Sequence, residues 1–524
     1  MRQIHFCALT ILAVLPLFLN AANIVFFINA IGKSHLDFGD SLIDSLKEKG
    51  HTVDLVIARI NDLAKGNENS KADRFYTLGF KNGSSWHKLN HLTSPFENNP
   101  FPIDGFRQYT LIGNQLCEIA LHDEKLHQFL SEKSYDVGVV SVFDYCGIGI
   151  LNKAGVSSIT TFNAVPLMSI QTVTIGLPNI ASQVVPLFYT FDLATLSGKL
   201  WNLITWAHIN FHQIPTLRKE QELLFQKVYG PSFSINEVID KVDLSFVNSN
   251  EIMETPMLIN HRIQYIGGIN LKTPKPVDHH LDNLLSKSSN GTIIFSFGTQ
   301  IPGAVYPRYA VRNFVKVFKK YPEYTFLWKY NVQPGEEKLF EDAENVILLD
   351  WLPQTDLLYD PRVIGFISHV GLNSFNEASY AGKPIIAIPL FADQPHNARN
   401  GVARGTTYLL NKSKLSEESI ENGLRAILFD KSYTESARKL QKMLVEKPTK
   451  PKDRFVEWME YAAVNPGLHK IFALPGAKMG NIEYYCVDTI VFIAFSCVTF
   501  TYIFFKMAKF SLSFIRLVKK PKHE

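Results

Sequence analysis

The sequence predicts an α/β protein built as two Rossmann-like, doubly wound domains in succession, with one transmembrane helix near the carboxyl end. Three observations carry this. An apolar run of strand length, NIVFFIN at 23–29, precedes helical periodicity through Leu36, Phe38, Leu42, Ile43 and Leu46, and then a second strand, HTVDLVIA at 51–58. The same grammar returns in the second half, where VIGFIS at 363–368 leads through a polar turn and a helix into PIIAIPL at 384–390. Nearly continuous apolar strands separated by helices belong to parallel sheets covered on both faces, and such sheets bind ligands beyond the carboxyl ends of their strands. Finally, Val487 to Phe505 is apolar for long enough to cross a hydrocarbon core of about 30 Å.

Length and composition set the bounds. At 524 residues the chain can fill two or three domains, and 46% hydrophobic with 19% charged residues suits globular protein with a membrane segment added. A net charge of +4, with no basic patch interleaved with aromatics, argues against nucleic acid as a partner. At the amino end MRQIH carries positive charge ahead of a mostly apolar run from Phe6 to Leu19, then Asn20-Ala21-Ala22. This reads as a secretory signal, 1–22, cleaved near Ala21 or Ala22; the run is short for the alternative, an uncleaved anchor. Tyr484 and Tyr485 mark one interface of the later span, and Lys506, Lys509, Arg516, Lys519, Lys520 and Lys522 follow it. That bias places the tail, 506–524, in the cytosol and everything before the span in a lumen. The last five residues resemble a dilysine-type retrieval signal, which points to the endoplasmic reticulum membrane, crossed once. Cys7 lies in the signal and Cys486 and Cys497 in or beside the span, so Cys117 and Cys146 allow one lumenal disulfide; Asn82, Asn290 and Asn411 open glycosylation sequons.

In the first domain, 23–270, the helix after NIVFFIN opens at Ser34-His35, on the carboxyl side of a strand. A histidine there faces the crevice where an acceptor hydroxyl would lie, and its unperturbed pKa of about 6.5 leaves much of it neutral and able to take a proton. A capping or surface role is the alternative. A further strand spans 137–142, with Ser141 near its end and Asp144 three residues on. The stretches 63–128 and 160–229 are irregular and rich in Phe, Pro, Asn and His, with an aromatic helix-like segment from Trp201 to Phe211. Packing of long connections, contact with a membrane and an apolar ligand pocket all fit them.

A linker at 271–290, with Pro274, Pro276 and the pair His279-His280, precedes the second domain, 291–447. Paired histidines in a linker are ordinarily solvated, and no metal site is expected. TIIFSFG ends at Gly298-Thr299; TFLWKY and NVILLD are further strands. The polar residues of 351–394 then gather at strand ends: His369, Gly371, Asn373, Ser374 and Glu377 after one strand, Asp393 and Gln394 after the next. Amide groups at a helix amino end attract anions, so this is where a nucleotide diphosphate would sit. Ser374 with Glu377 three residues on is also a capping-box pattern, a bland alternative for both.

Trp351-Leu-Pro-Gln354, the turn His369-Val-Gly-Leu-Asn-Ser374, Glu377 and the closing Asp393-Gln394 together resemble the donor-binding signature of UDP-glycosyltransferases. The resemblance extends over nearly the whole chain. It implies the two-lobed GT-B architecture, an enzyme, and UDP-glucuronic acid or UDP-glucose as co-substrate without a separate cofactor. Trp351 would stack on uracil, Gln354 would hydrogen-bond base or ribose, and Glu377 would accept from ribose. Thr299 and the 369–374 turn would face the diphosphate, and Asp393 and Gln394 the sugar. His35 would be the general base that activates a hydroxyl of a small lipophilic acceptor. The segment 448–486 would cross back to the first domain and approach the membrane. Two departures from the family pattern stand out: Val370 replaces a usual glycine, and Ser141 stands where an acidic residue orients the base, leaving Asp144 as the nearby carboxylate. A UDP-sugar-binding protein with little catalysis is therefore the alternative. The choice between the two sugars, the acceptor and a homo-oligomeric state stay open.

Overall fold

The computed structural model describes residues 21–59, 70–80, 95–96, 105–187, 189, 191–298, 301 and 303–518. Residues 1–20, where the sequence reads as a signal, together with Asn82, Thr299 and the tail residues Lys519, Lys520 and Lys522, lie outside them. The chain forms two compact units, Met1–Phe472 and Ala473–Glu524.

The first unit holds two parallel sheets. One contains β1 (Asn23–Ala30), β2 (Thr52–Arg59), β3 (Arg74–Leu78), β4 (Val137–Ser141), β5 (Ser158–Asn163), β6 (Val242–Val247) and β7 (Ile263–Tyr265), in the order β3-β2-β1-β4-β5-β6-β7. The other contains β8 (Thr292–Ser296), β9 (Thr325–Lys329), β10 (Val346–Leu349), β11 (Val363–Ser368), β12 (Ile385–Ala387) and β13 (Thr407–Leu409), in the order β10-β9-β8-β11-β12-β13. Both orders reverse direction once, between β1 and β4 and between β8 and β11. A reversal opens a crevice at the strand ends, because the helices on either side of it run to opposite faces of the sheet. Among the expected site residues, His35 follows β1, Asp144 follows β4 and the 369–374 turn follows β11 at these two points, while Trp351 and Gln354 follow the edge strand β10 and Asp393 and Gln394 follow β12.

The strands form because they are buried on both faces. Phe26, Phe27 and Ile28 of β1, and Ile293, Ile294 and Phe295 of β8, are at most 1% exposed. The helix Lys33–Lys47 lays Leu36, Phe38, Leu42, Ile43 and Leu46 on the first sheet, matching the spacing in the sequence. After the second sheet the chain returns to the first lobe. Helix Pro451–Val464 places Phe455, Val456, Met459 and Ala462 in the same core as Phe26 and Phe246, with the Phe246 and Phe455 rings 4.8 Å apart.

Three stretches differ from the sequence expectation. The irregular stretches 63–128 and 160–229 contain β3, most of β5 and the long helices Gly105–Leu121 and Leu196–His208; the latter continues through a π turn, Ile209–Gln213, into Ile214–Tyr229. The strand β5, SITTFN, is fully buried although four of its six residues are Ser, Thr or Asn, so it carries no apolar run to read. The 271–290 linker contains a helix, His279–Leu285, capped by Asp278, whose carboxylate accepts from the Leu281 amide; His279 and His280 are exposed in its first turn. Among the described residues no group of three or more His, Cys, Asp or Glu is arranged to hold a metal.

Described by itself, the second unit is mostly one helix, Val487–Val518. Its stretch Val487–Ile515 is long and apolar enough to cross a membrane.

Candidate active site

At the reversal of the first sheet, β1 ends at Asn29-Ala30 and the next helix begins at Lys33, with His35 in its first turn. The His35 ring meets Phe143 edge-on at 5.1 Å, and its Nδ1 is buried without a hydrogen-bond partner. Burial pushes the imidazole pKa down to about 4, so the ring is neutral at physiological pH, the form from which a general base must start. On the neighbouring strand the Ser141 hydroxyl accepts from the Asn29 amide at 2.7 Å, which ties the ends of β1 and β4 together. Asp144 is buried and makes no hydrogen bond to His35. Its Oδ1 accepts from the Cys146 amide at 2.9 Å, at the start of helix Cys146–Lys153, and its Oδ2 accepts from Asn29 Nδ2 at 3.2 Å. Burial pushes this carboxyl up to about 6 against hydrogen bonds with the Cys146 amide, Gln221 and Asn29. Asp144 thus supports a helix start and reaches the strand-end cluster through Asn29. Cys117 and Cys146 form a disulfide, which joins helix Gly105–Leu121 to the loop carrying Asp144.

At the reversal of the second sheet, His369 is wedged between two glycine-bearing loops. A Cβ on Gly298, whose φ is +75°, would lie 2.9 Å from His369 Cε1, and one on Gly371 would lie 2.8 Å from Nε2. Only glycine lets both loops approach the ring. Burial pushes the His369 pKa down to about 4, so this imidazole is neutral as well. Val370, fully buried, has φ +54°. This left-handed conformation is strained for a β-branched residue and explains why glycine suits the position. The valine is held there by its amide donating to Ser368 Oγ at 3.0 Å and its carbonyl accepting from Asn397 Nδ2 at 3.0 Å. The sharp turn starts the helix early, at Leu372 with Gly371 as its cap residue and no capping side chain. The capping-box reading of Ser374 and Glu377 is therefore corrected: Ser374 sits inside the helix.

Released from the cap, these side chains meet Gln354 instead. Gln354 Nε2 donates to Ser374 Oγ at 3.0 Å and to Glu377 Oε2, while Thr355 Oγ1 donates to Glu377 Oε1 at 3.0 Å. Burial raises the Glu377 pKa above its ordinary value, and the Gln354 and Thr355 hydrogen bonds oppose the rise. Trp351 is 67% exposed, a free aromatic face beside this cluster. Asn373 Oδ1 accepts from Asn270 Nδ2 at 3.0 Å, a contact from the first lobe's trailing segment. The Asp393 loop has its own left-handed residue, Ala392, with φ +55°. Asp393 Oδ2 accepts from Asn397 Nδ2 at 2.7 Å, and Gln394 Oε1 accepts from the Leu390 and Phe391 amides. The structure thus gathers Gln354, Ser374 and Glu377 into one cluster, with Trp351, His369, Asp393 and Gln394 on neighbouring loops.

Two further residues belong to this site and escaped the sequence reading. Lys329, the last residue of β9, donates to the Gly298 carbonyl at 3.0 Å and holds its ammonium 4.8 Å from the centre of the Trp351 ring. It brings a cation to the Trp351 ring and the Gly298 loop. Its signal was its place at the carboxyl end of the strand next to β8. Asn397, whose amide bonds to both Val370 and Asp393, couples the 369–374 turn to the Asp393 loop; nothing in its sequence context marks it.

The architecture agrees with what the chain resembles among known proteins. Over 84% of its length it superposes with a TM-score of 0.58 on 98% of CalG4, the calicheamicin glycosyltransferase, at 17% identity, which shows a shared GT-B fold. The human UDP-glucuronosyltransferase 2A2 is 24% identical over 498 residues, 92% of this chain and 91% of its own. UDP-glucosyltransferase 2 of Dactylopius coccus is 25% identical over 496 residues, 92% of each chain. The family described as UDP-glucoronosyl and UDP-glucosyl transferase matches residues 29–523. The chain is a glycosyltransferase and belongs to this family.

Proposed function

We propose that the chain is an inverting transferase that moves a hexosyl or hexuronosyl group from a UDP-sugar to a hydroxyl of a small lipophilic acceptor. The observation that carries this is His35: a neutral imidazole with a buried, unpartnered Nδ1 at the reversal of the first sheet. In this reading the acceptor hydroxyl donates to His35 and attacks the anomeric carbon. The glycosyl bond to UDP breaks on the opposite face, and the proton passes to the imidazole. The uracil stacks on Trp351 and the ribose bonds Glu377 and Gln354. The diphosphate lies against the 369–374 turn with Lys329 nearby, so that the departing oxyanion meets amide dipoles and a cation. Thr299 would join the diphosphate contacts, and Asp393 and Gln394 would hold the sugar. Asp144 would act on His35 at one remove, through Asn29. The amino-terminal signal, the disulfide and the apolar helix support a lumenal enzyme anchored once in the endoplasmic reticulum membrane.

A second reading, a UDP-sugar-binding protein with little catalysis, is favoured by Ser141, whose hydroxyl is taken up by the Asn29 amide, and by the missing Asp144–His35 contact. Membranes carrying the full chain, supplied with labelled UDP-glucose or UDP-glucuronic acid and a panel of phenols and steroids, decide between them. Transfer that drops by roughly 10²–10⁴ in His35→Ala, with UDP binding kept, is the expected result. Tight UDP binding without transfer, the same in both proteins, would overturn the enzymatic reading.

A further inference from the structure

The helix Gln394–Ala403 has two working faces. Its amino end and Asn397 face the donor loops, as described above. A second stripe, His396, Asn400 and Arg404, spaced four residues apart, is gripped by the segment that follows β6 in the other lobe. Glu254 is the centre of that grip. It is 5% exposed, and its Oε2 accepts from His396 Nε2 at 2.7 Å and from Asn400 Nδ2 at 3.0 Å, while its Oε1 accepts from the Ser249 hydroxyl. Around it, Asn400 Oδ1 accepts from the Thr255 amide at 3.2 Å and hydroxyl at 2.9 Å. Arg404 donates from Nε to the Ile252 carbonyl at 2.8 Å and from Nη2 to the Glu254 carbonyl at 2.6 Å.

A buried carboxylate is tolerated only where several donors converge on it, and such a group fixes geometry because its partners cannot shift without leaving charge unpaired. His396 is three residues from Asp393 and two from Gln394, within one turn of a rigid element. A rotation of this helix that loosened the His396 contact would therefore displace both. A misplacement of about 1 Å at a binding constellation can reduce rate on the order of 10²-fold. Trp351, Gln354 and Glu377, on other elements, would be left where they are.

We propose that Glu254 is a positioning residue for the donor sugar: from the acceptor lobe it sets the pose in which the Gln394 helix presents Asp393 and Gln394, so that recognition of the sugar, as distinct from the nucleotide, depends on the opposite lobe. The proposal rests on the reading that Asp393 and Gln394 meet the sugar. Its mark is a split between two ligands. In the purified full chain, Glu254→Gln binds UDP within about twofold of the parent but binds the preferred UDP-sugar roughly tenfold more weakly, and its KM for the donor rises more than its kcat falls. His396→Gln, which leaves Glu254 its Ser249 and Asn400 partners, gives the same split and supplies the answer if the glutamate variant does not fold. The double variant is no worse than either single one. Asp393→Asn is run beside them. If it loses the sugar selectively while Glu254→Gln and His396→Gln weaken UDP and UDP-sugar equally, or neither, the positioning role is refuted and the site reading stands. If Asp393→Asn leaves the split unchanged, the site reading falls and the positioning role with it.

Discussion

Val370 shows how one residue records a conflict between backbone and packing. Its φ of +54° places it where a valine is strained by roughly 1–2 kcal/mol, yet its side chain is fully buried in the core beneath the second sheet. Truncation separates the two effects. Val370→Ala loses packing and keeps a Cβ in the left-handed region, whereas Val370→Gly loses slightly more packing and removes the strain. The usual order is therefore inverted here: the glycine variant is expected to be the more stable of the two by about 1 kcal/mol. Chemical denaturation of the three proteins checks this, and an alanine variant more stable than the glycine one would show that the turn is not strained. Ala392, with φ +55°, repeats the conformation immediately before Asp393. Of the three non-glycine residues with positive φ among those described, Val370 and Ala392 lie in the loops proposed to meet the donor, and the third, Cys486, lies just before the apolar helix. Strain concentrated where backbone must be aimed at a ligand is consistent with the site assigned to these loops.

Among the elements, helix Leu196–His208 is built inside out. Gly198, Asn202 and Thr205 face the protein, while Leu196, Leu200, Trp201 and Leu203 are more than half exposed. Asn202 explains the inversion, because its Nδ2 donates to the Ala181 and Val184 carbonyls, the latter at 3.0 Å, and so binds the helix to the preceding loop through polar rather than apolar contact. Leu200→Ser should therefore leave the melting temperature almost unchanged, whereas Asn202→Leu, outwardly a gain in apolar burial, should destabilise by about 1–3 kcal/mol by stranding two carbonyls. Equal effects from the two substitutions would contradict the polar anchoring. The same element shows where sequence reading succeeds and where it stops. Strands such as VIGFIS and helices such as Lys33–Lys47 were legible because burial follows their apolar period. The helix around Trp201 was legible only as an aromatic stretch, since its buried face is polar, and β5 was hidden by Ser158, Thr160, Thr161 and Asn163. In the candidate site, His369 and Glu377 were legible from their place after a strand, and Trp351 only through the resemblance of Trp351-Leu-Pro-Gln354 to the family signature. Lys329 and Asn397 were not, because their roles arise from contacts between strands and loops far apart in the chain. The start of the Leu372 helix was misread because it depends on the left-handed backbone of Val370, which sequence does not display.

At the scale of the whole molecule, buried carboxylates shift stability against pH in opposite directions. Burial opposes the charge of Asp54 and Asp243, but hydrogen bonds from Arg74, Tyr135 and Lys133 to the first, and from His469 and Ser158 to the second, outweigh it and hold both below the ordinary carboxylate value. Their stabilisation is present above the unfolded pKa and is lost as pH falls through the lower folded one. Asp144 is the reverse case. Burial lifts it from 3.8 to about 6, so between these values the folded chain holds a proton that the unfolded chain has released, and its contribution falls as pH rises through that window. At pH 7.5 the ionised Asp144 is therefore a liability of up to about 3 kcal/mol, at about 1.4 kcal/mol per pKa unit. Asp144→Asn keeps an oxygen for the Cys146 amide and removes the charge. It should melt higher than the parent at pH 7.5, by an increment that shrinks towards zero as the pH is lowered to about 4. An increment independent of pH would mean that packing, not ionisation, separates the two proteins. Transfer activity measured on the same samples gives the result its meaning. If the more stable variant is also the less active, the carboxylate is kept beside the strand-end crevice of His35 for the reaction and at the expense of the fold, which is the trade expected where a site needs a charge that the core would rather exclude.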